Sequence, residues 1–593
     1  MLDIRTSQFY LNGKPFIIRS GAIHYFRVPR EYWKDRLEKL KACGLNTVET
    51  YVSWNLHEKK QGEYDFTDML NIREFILLAK ELGLYVIVRP GPYICAEFDS
   101  GGFPAYLYKD KNMRLRCCDD KYLSYVKTWF ARLFKEFIDL QTTSGGNIIA
   151  MQIENEYGSY GNDKEYILKL KKIMEELGAS CLLFTADGGG NDAYVSGGGV
   201  PGVYRALTFG SKVKTAFDCI EGRSFGPKCC MEFWDGWFDH WKMKHNERPL
   251  DELMQEMKVF LDEDISFNLY MFHGGTNFAF TAGANMTSIY EPTVTSYDYG
   301  APLGEYGNYT PFYTALREEL LVKDGLTADK RPLPPAPETQ NIGMVALTEY
   351  ASLFGNLDNI SKVVDSTCPL SFAEMDMTNG YAYYSAEIEG KYTKGEERDL
   401  WGDTSITLCN LNDLGYLYLD GKYKGRYYRN DARQMHNLAM HDVKGESLDG
   451  RIKVDVFVEA MGGVNYGPFF GEQKGLGALM IFQQYVYHWK NRALPMDNLE
   501  KLNYDGKKEV PCFLKGSFKA VKKDCFVKLD GFTKGFVTVN GKNLGRFWVE
   551  GPQQTLYLPG CWLNDGDNEI IVFEQEGYDK TQIKIIDKPI LSK

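Results

Sequence analysis

The chain has 593 residues, enough for about three or four domains, and carries 69 basic and 80 acidic residues for a net charge of −11. That balance excludes the broad positive footprint that nucleic acid or an anionic membrane surface requires. No apolar run is long enough to span a bilayer, and Met1 to Phe16 lacks the apolar stretch of an export signal, so a cytoplasmic protein is expected. Thirteen scattered cysteines without a Cys-x-x-Cys fit free thiols in a reducing compartment, where the sequons at Asn285, Asn308 and Asn359 carry no weight.

From residue 16 to about 325, short apolar runs alternate with amphipathic helical patterns. Strands are expected at Phe16–Tyr25, Thr47–Val52, Leu84–Arg89, Ile148–Glu156, Cys181–Thr185, Val203–Phe209, Lys228–Phe233 and Phe267–Phe272. Between and after them, helices are expected at Arg30–Cys43, Asp68–Leu82, Lys121–Leu140, Lys164–Leu177, Leu250–Leu261 and Pro311–Val322, several stopped by glycine. The glycine tracts at 188–190 and 197–199 read as loop. Eight strands alternating with helices over this length match a (β/α)8 barrel, with the sixth strand and its helix the weakest elements.

The fourth strand carries the chemistry. Ile148 to Met151 is a continuous apolar run of the kind buried on both faces, and it leads into Glu154-Asn155-Glu156. Polar groups there are costly unless they face a cleft, and the C-terminal strand ends of such a barrel form its active site. The plainer alternative is a carboxylate pair capping the next helix. On this count Glu156 ends strand four and Glu232 ends strand seven, on opposite sides of one barrel mouth. Two carboxylates across a pocket are what glycoside hydrolysis needs; the alternative is two unrelated salt bridges.

Arg331 to Pro337 is a stiff proline-rich connector. Beyond it the helical period gives way to short strands with Asp-Gly and Asn-Gly turns. Gly415 to Tyr428 aligns with Gly535 to Trp548, and each copy is followed by an acidic-ended strand, Val454–Glu459 and Glu569–Glu574. The expected organisation is a barrel over 1–330, a connector and linking segment over 331–370, and two all-β jelly-roll sandwiches over 371–500 and 501–593, with 338–370 able to pack with either. The sandwiches are assigned a structural role, since the repeat is built of turn and core residues.

Other motifs are weak. Gly222-Arg-Ser224-Phe-Gly226 matches a nucleophile elbow in letters, but Pro227 and a strand follow it where a helix is needed. No zinc-ligand spacing or phosphate-binding glycine loop occurs, so no metal and no cofactor are expected. His24, His57 and His273 near strand ends read as satisfied polar residues.

Six ordered motifs resemble glycoside hydrolase family 35 β-galactosidases: Ser20–Leu37 with His24-Tyr25-Phe-Arg27, Thr50–Glu58, Arg89–Glu97, Gln152–Gly158, Glu232–Trp241, and Tyr270–Phe278 followed by Ser296–Leu303. The resemblance implies a retaining exo-enzyme that removes terminal β-galactose, with Glu156 as acid/base and Glu232 as nucleophile. It implies that Tyr51, Cys95, Ala96, Glu97, Asn155 and Tyr299 grip the sugar and that Tyr270 sits beside the nucleophile. Trp234, Trp237 and Tyr466 match the aglycone platform of bacterial members preferring β-1,3 linkages. Phe98, Phe103 and Tyr106 stand where the family usually has Trp and then Leu and Trp, and Gly463 replaces a common Arg; these departures bear on linkage and sugar. The implied partner is a galactoside oligosaccharide, with no nucleic acid or membrane, and a homodimer is left open. Alternatives are an exo-glycosidase for galactosamine or glucosamine, a transglycosylase, or a sugar-binding protein without catalysis.

Overall fold

A computed structural model describes residues 1–221, 225–392, 404–435, 438–444, 448–481 and 484–592; Ser224 of the elbow-like motif lies outside them. The N-terminal half runs β1 (Arg19–Ile23), α1 (Trp33–Cys43), β2 (Thr47–Tyr51), α2 (Ile72–Glu81), β3 (Tyr85–Arg89), α3 (Asp120–Leu133), β4 (Ile148–Gln152), α4 (Lys164–Glu176) and β5 (Leu182–Gly188). It continues with α5 (Asp192–Gly198), β6 (Tyr204–Phe209), α6 (Val213–Ala216), β7 (Cys229–Trp234), α7 (Leu250–Asp262), β8 (Ser266–His273) and α8 (Pro311–Lys323). The eight strands pair in parallel in sequence order and close into a barrel, β8 bonding to β1. Every residue of β2, β4 and β8 is buried; β4 reads as an apolar run for that reason, whereas β2 and β8 also bury polar residues, among them Glu49 and Asn268.

Local chemistry sets the helix ends. Asn71, Asp119, Asp163, Asn191 and Thr310 each accept a backbone N–H of the first turn, and Gly44 closes α1 in the left-handed conformation at φ 115°. Several expectations need correction. β4 stops at Gln152, so Glu154 to Glu156 form the turn beyond the strand. Helix α3 ends at Leu133 and decays into 3-10 turns up to Leu140. Glycines 197 and 198 belong to the end of α5 and its neighbourhood, where a Cβ on Gly198 would lie 2.1 Å from the Asp187 carboxylate. They read as loop because glycine disfavours helices, but here close packing demands it.

A small antiparallel sheet, Leu2–Arg5, Gln8–Leu11 and Lys14–Phe16, plugs the N-terminal end of the barrel. Leu2, Phe9 and Leu11 share one apolar cluster with the inward residues Ile87, Ile149, Phe184, Ala206 and Met231. With that end closed, the opposite end is the open mouth.

The first all-β unit is a pair of facing antiparallel sheets of six and five strands around a shared core. The second is an eight-stranded antiparallel array. The stretch after the proline-rich connector divides between them. Gly343–Ser352 is an inner strand of the second array, paired with Cys512–Ala520 and Gln582–Ile586, whereas Val364–Ser366 pairs with Trp489–Leu494 of the first. It is therefore woven into both units and is more than a linker. The internal repeat survives in register: Leu414 faces Tyr428 as Lys534 faces Trp548, and each hairpin carries its irregularity at the matching position, Leu417/Tyr418 and Val537/Thr538. Asp420-Gly421 and Asn540-Gly541 turn both hairpins with positive φ at both residues.

A buried ionic node joins the two units. Glu459, on the first unit, lies 3.1 Å from the Lys534 ammonium and 3.2 Å from the Arg546 guanidinium, both on the second, and Gln575 donates to it at 2.7 Å. All three charged groups are buried, and burial lowers the Lys534 pKa despite the carboxylate. Removing one partner of such a cluster strands the others in a low-dielectric interior. Glu459→Ala is therefore expected to destabilise docking of the second unit by about 3–5 kcal/mol, read as a lowered first transition in denaturant or thermal unfolding; an unchanged unfolding profile would contradict this role.

Candidate functional site

A cavity of about 230 Å³ opens at the C-terminal ends of the barrel strands. Tyr51, Cys95, Ala96, Glu97, Asn155, Glu156, Glu232, Trp234, Trp237, Tyr270, Tyr299 and Tyr466 all line it, so the residues singled out from the sequence converge on one space. Each arrives by a different route. Tyr51 ends β2, Glu232 and Trp234 lie at the end of β7, and Tyr270 lies within β8. Cys95, Ala96 and Glu97 follow β3 in three consecutive left-handed conformations, φ 53°, 55° and 47°. Glu154 and Glu156 flank Asn155 with φ 59° and 45°, and Tyr299 has φ 67°. Such backbone costs about 1–3 kcal/mol per residue and persists only where the surroundings hold it, as at binding sites.

The two glutamates of the Glu-Asn-Glu turn have different fates. Glu154 faces away from the cavity into a bidentate ion pair with buried Arg116, at 2.7 and 2.9 Å, and accepts the Asn155 N–H at 2.6 Å. It is the brace of the turn. Glu156 faces the cavity, where Thr208 Oγ1 donates to its Oε1 at 2.6 Å. Burial first, and then the charge of Glu232, push its pKa up to about 8.

Glu232 is held by donors. Tyr51 Oη donates to its Oε1 at 2.7 Å, Arg89 Nη2 donates to the same oxygen, and Trp234 Nε1 donates to Oε2 at 3.0 Å. The Arg89 guanidinium is fully buried, stacks 4.0 Å from the Tyr51 ring, and has its Nε 3.8 Å from Glu49. Arg89 Nη2 also donates to Asn155 Oδ1 at 2.5 Å, and the single Tyr51 hydroxyl proton is shared between that oxygen and Glu232 Oε1, each 2.7 Å away, so the Asn155 amide NH2 is the end available to a ligand. Glu97 accepts from Tyr297 Oη, and burial raises its pKa to about 7. Burial likewise pushes up the Cys95 thiol, which accepts from Asn465 at 3.5 Å. The cavity thus joins an aromatic wall to three carboxyl groups, two of which, Glu97 and Glu156, bind their protons more tightly than usual because they are buried.

Tyr466 reaches the cavity from the first β unit by sheet formation across the interface. Val464–Tyr466 adds in parallel to the barrel hairpin Ala284–Met286 and Tyr290–Pro292. Asp99, in the loop after β3, clamps this segment: it accepts from Gly463 N at 2.6 Å, from Asn379 at 2.9 Å and from Thr378. A Cβ on Gly463 would lie 2.0 Å from Ser100 Oγ, so this backbone approach explains the missing side chain. Phe98, Phe103 and Tyr106 are absent from the cavity wall. Phe98 packs on Phe26, Phe103 on Trp54 and Phe470, and Tyr106 donates to Glu58 at 2.9 Å. The departures at these positions alter the packing behind the site.

The cavity also includes Ser159, Gly188, Tyr194, Phe238 and Asn285, which sequence reasoning did not single out. Tyr194 and Gly188 were hidden in the glycine-rich stretch, and Asn285 in a sequon; a glycan on Asn285 would fill the cavity. Buried Asp187 was missed too. At the end of β5 it accepts the Gly158 N–H at 2.7 Å and so holds the turn that carries Glu156. His24, His57 and His273 are buried in the barrel and do not line the cavity.

Among the described residues no helix is long and apolar enough to cross a membrane, and no cluster of potential metal ligands occurs. The profile described as Glycosyl hydrolases family 35 matches residues 8–322, that of a β-galactosidase first all-beta domain matches 369–495, and that of a β-galactosidase galactose-binding domain matches 511–568. The chain is 38% identical over 587 residues to beta-galactosidase-1-like protein 3 of Rattus norvegicus, covering 96% of this chain and 89% of that protein. It is 38% identical over 600 residues to beta-galactosidase-1-like protein 2 of Homo sapiens, covering 97% and 89%. It is 36% identical over 632 residues to the beta-galactosidase of Bos taurus, covering 99% and 93%. Barrel, paired carboxylates and a family match through the whole barrel lead to one conclusion: the chain belongs to glycosyl hydrolases family 35 and is a glycoside hydrolase.

Proposed function

We propose that this enzyme removes terminal non-reducing β-D-galactose from oligosaccharides by double displacement, with retention at the anomeric carbon. The observation that carries the reading is the unequal surroundings of two carboxyls in one cavity: Tyr51, Arg89 and Trp234 donate to Glu232, while burial and the Glu232 charge raise the proton affinity of Glu156. The β-galactosidase names of the relatives support the sugar. A cavity of about 230 Å³ has room for about one sugar ring, which supports exo action.

In this reading Glu156 protonates the glycosidic oxygen as Glu232 attacks the anomeric carbon. Esterification removes the Glu232 charge, so Glu156 becomes more acidic and takes a proton from the incoming water. The Asn155 amide meets the 2-hydroxyl, where contacts strengthen in the transition state. Trp237 and Tyr466, 43% and 38% exposed, form the rim with Trp234 and receive the leaving sugar; the resemblance ties this aromatic set to β-1,3 linkages.

Glu232→Gln is expected to lower turnover of an aryl β-galactoside by roughly 10³-fold or more while the fold survives. Proton NMR of the first sugar released by the wild type should show the β-anomer; initial α-galactose would sink the double displacement. A panel of aryl glycosides tests the sugar, and faster turnover of galactosaminide or glucosaminide would replace galactose in this reading.

The pH profile gives a second test. Activity needs Glu156 protonated, so it is present below the Glu156 pKa and lost as pH rises through it. The Thr208 hydroxyl stabilises the ionised form and lowers that pKa. Thr208→Val should therefore shift the alkaline limb of kcat/KM upward by about half a pH unit to one unit; an unmoved or lowered limb would contradict the assignment.

A further inference from the structure

A second pocket, of about 450 Å³, lies beside the active site at the junction of the barrel and the first β unit. Two segments wall both spaces. Ser159 and Tyr466 face the active-site cavity, while Tyr160 and Phe470, one and four residues further along the same segments, face the second pocket. Tyr160 is 43% exposed, and one face of its ring is covered by the Arg116 guanidinium at 4.2 Å. Phe470 meets the Tyr160 ring edge-on at 6.1 Å. Together they make an aromatic corner whose remaining face is open.

Polar groups complete it. Arg116 is 3% exposed and lines the pocket. Its Nε and Nη2 are engaged by Glu154 and the Asn155 carbonyl, and among the described residues its Nη1 meets no acceptor. Arg114 and Asp163 also line the pocket, the Asp163 carboxylate held in place by the Cys118 and Tyr166 N–H groups. An aromatic face beside a guanidinium and a carboxylate suits a pyranose ring, which presents C–H groups on one face and hydroxyls at its edge.

We propose that this pocket is a distal aglycone subsite, which binds the second sugar ring beyond the scissile bond of a linear oligosaccharide. The inference rests on the galactosidase reading for its substrate and on the shared walls for its position. Phe103, one of the residues departing from the family pattern, packs 5.5 Å from Phe470 and props the wall of this pocket. The departure thereby bears on oligosaccharide length.

The test compares an aryl β-galactoside with β-1,3- and β-1,4-linked galacto-oligosaccharides of two, three and four residues. The wild type should show kcat/KM higher by about fivefold on the trisaccharide than on the disaccharide. Tyr160→Ala should abolish that gain and leave the aryl substrate and disaccharide within about twofold, whereas Tyr160→Phe, which keeps the ring, should retain it. No gain with length in the wild type, or an equal loss on every substrate in Tyr160→Ala, would overturn the proposal. Titration calorimetry of the same oligosaccharides on Glu232→Gln separates the two readings. Tighter binding of the trisaccharide that depends on Tyr160 supports the subsite even where the wild type hydrolyses no galactoside, and equal binding of di- and trisaccharide refutes it.

Discussion

The buried guanidinium of Arg89 is the constraint around which the site is arranged. It lies at the end of β3 with Glu49 on one side, Glu232 on the other and the Tyr51 ring against its face. A cavity with Glu97, Glu156 and Glu232 on its walls cannot hold three carboxylates in the same state in a low-dielectric interior. Arg89, Tyr51 and Trp234 direct their N–H and O–H groups at Glu232 and so favour charge there. Among the described residues Glu156 has Thr208 alone as a side-chain donor, and burial with the Glu232 charge favours its protonated form. The proposed division into nucleophile and acid follows from this unequal distribution of donors.

A second layer keeps these groups in place. Glu154 is drawn away from the cavity by Arg116, and Asp187 ties down the N–H of Gly158, so the turn carrying Glu156 is held at both ends. The left-handed residues 95–97, 154, 156 and 299 gather at the same mouth. Their strain is sustained by buried bonds such as Arg27 to the Ala96 carbonyl and Gly283 N–H to the Glu97 carbonyl.

The all-β units contribute to the site through their docking. Phe280 and Tyr290 of the barrel, Tyr381 and Phe457 of the first unit, and Phe536 and Phe573 of the second share one apolar cluster at the three-way junction. Glu459 with Lys534 and Arg546 adds charge complementarity between the two β units, and Asp99 fastens the first unit to the barrel. Tyr466 is thereby presented at the active-site mouth and Phe470 at the pocket beside it. The structural role expected of these units is thus also a role in shaping what binds.

Much was legible in the chain itself. The alternation of apolar runs with capped helical stretches specified the barrel, because strands covered on both faces are mostly apolar and helix ends need their capping side chains. The Asp-Gly and Asn-Gly turns marked the paired hairpins, because only such residues adopt positive φ cheaply. Motif order placed Glu156 and Glu232 together. Other features were decided only in three dimensions. The resemblance picked Glu156 over Glu154, but the physical reason, the reach of Arg116 to Glu154 and the left-handed turns that aim Glu156 into the cavity, is visible only in the fold. Glycines 197, 198 and 463 read as loop or as loss, because no local pattern reports a neighbouring segment 2.0 to 2.8 Å from an absent Cβ. The placement of Gly343–Ser352, the arrival of Tyr466 from another unit and the pocket beside it depend on pairings hundreds of residues apart, and such contacts leave no local period to read.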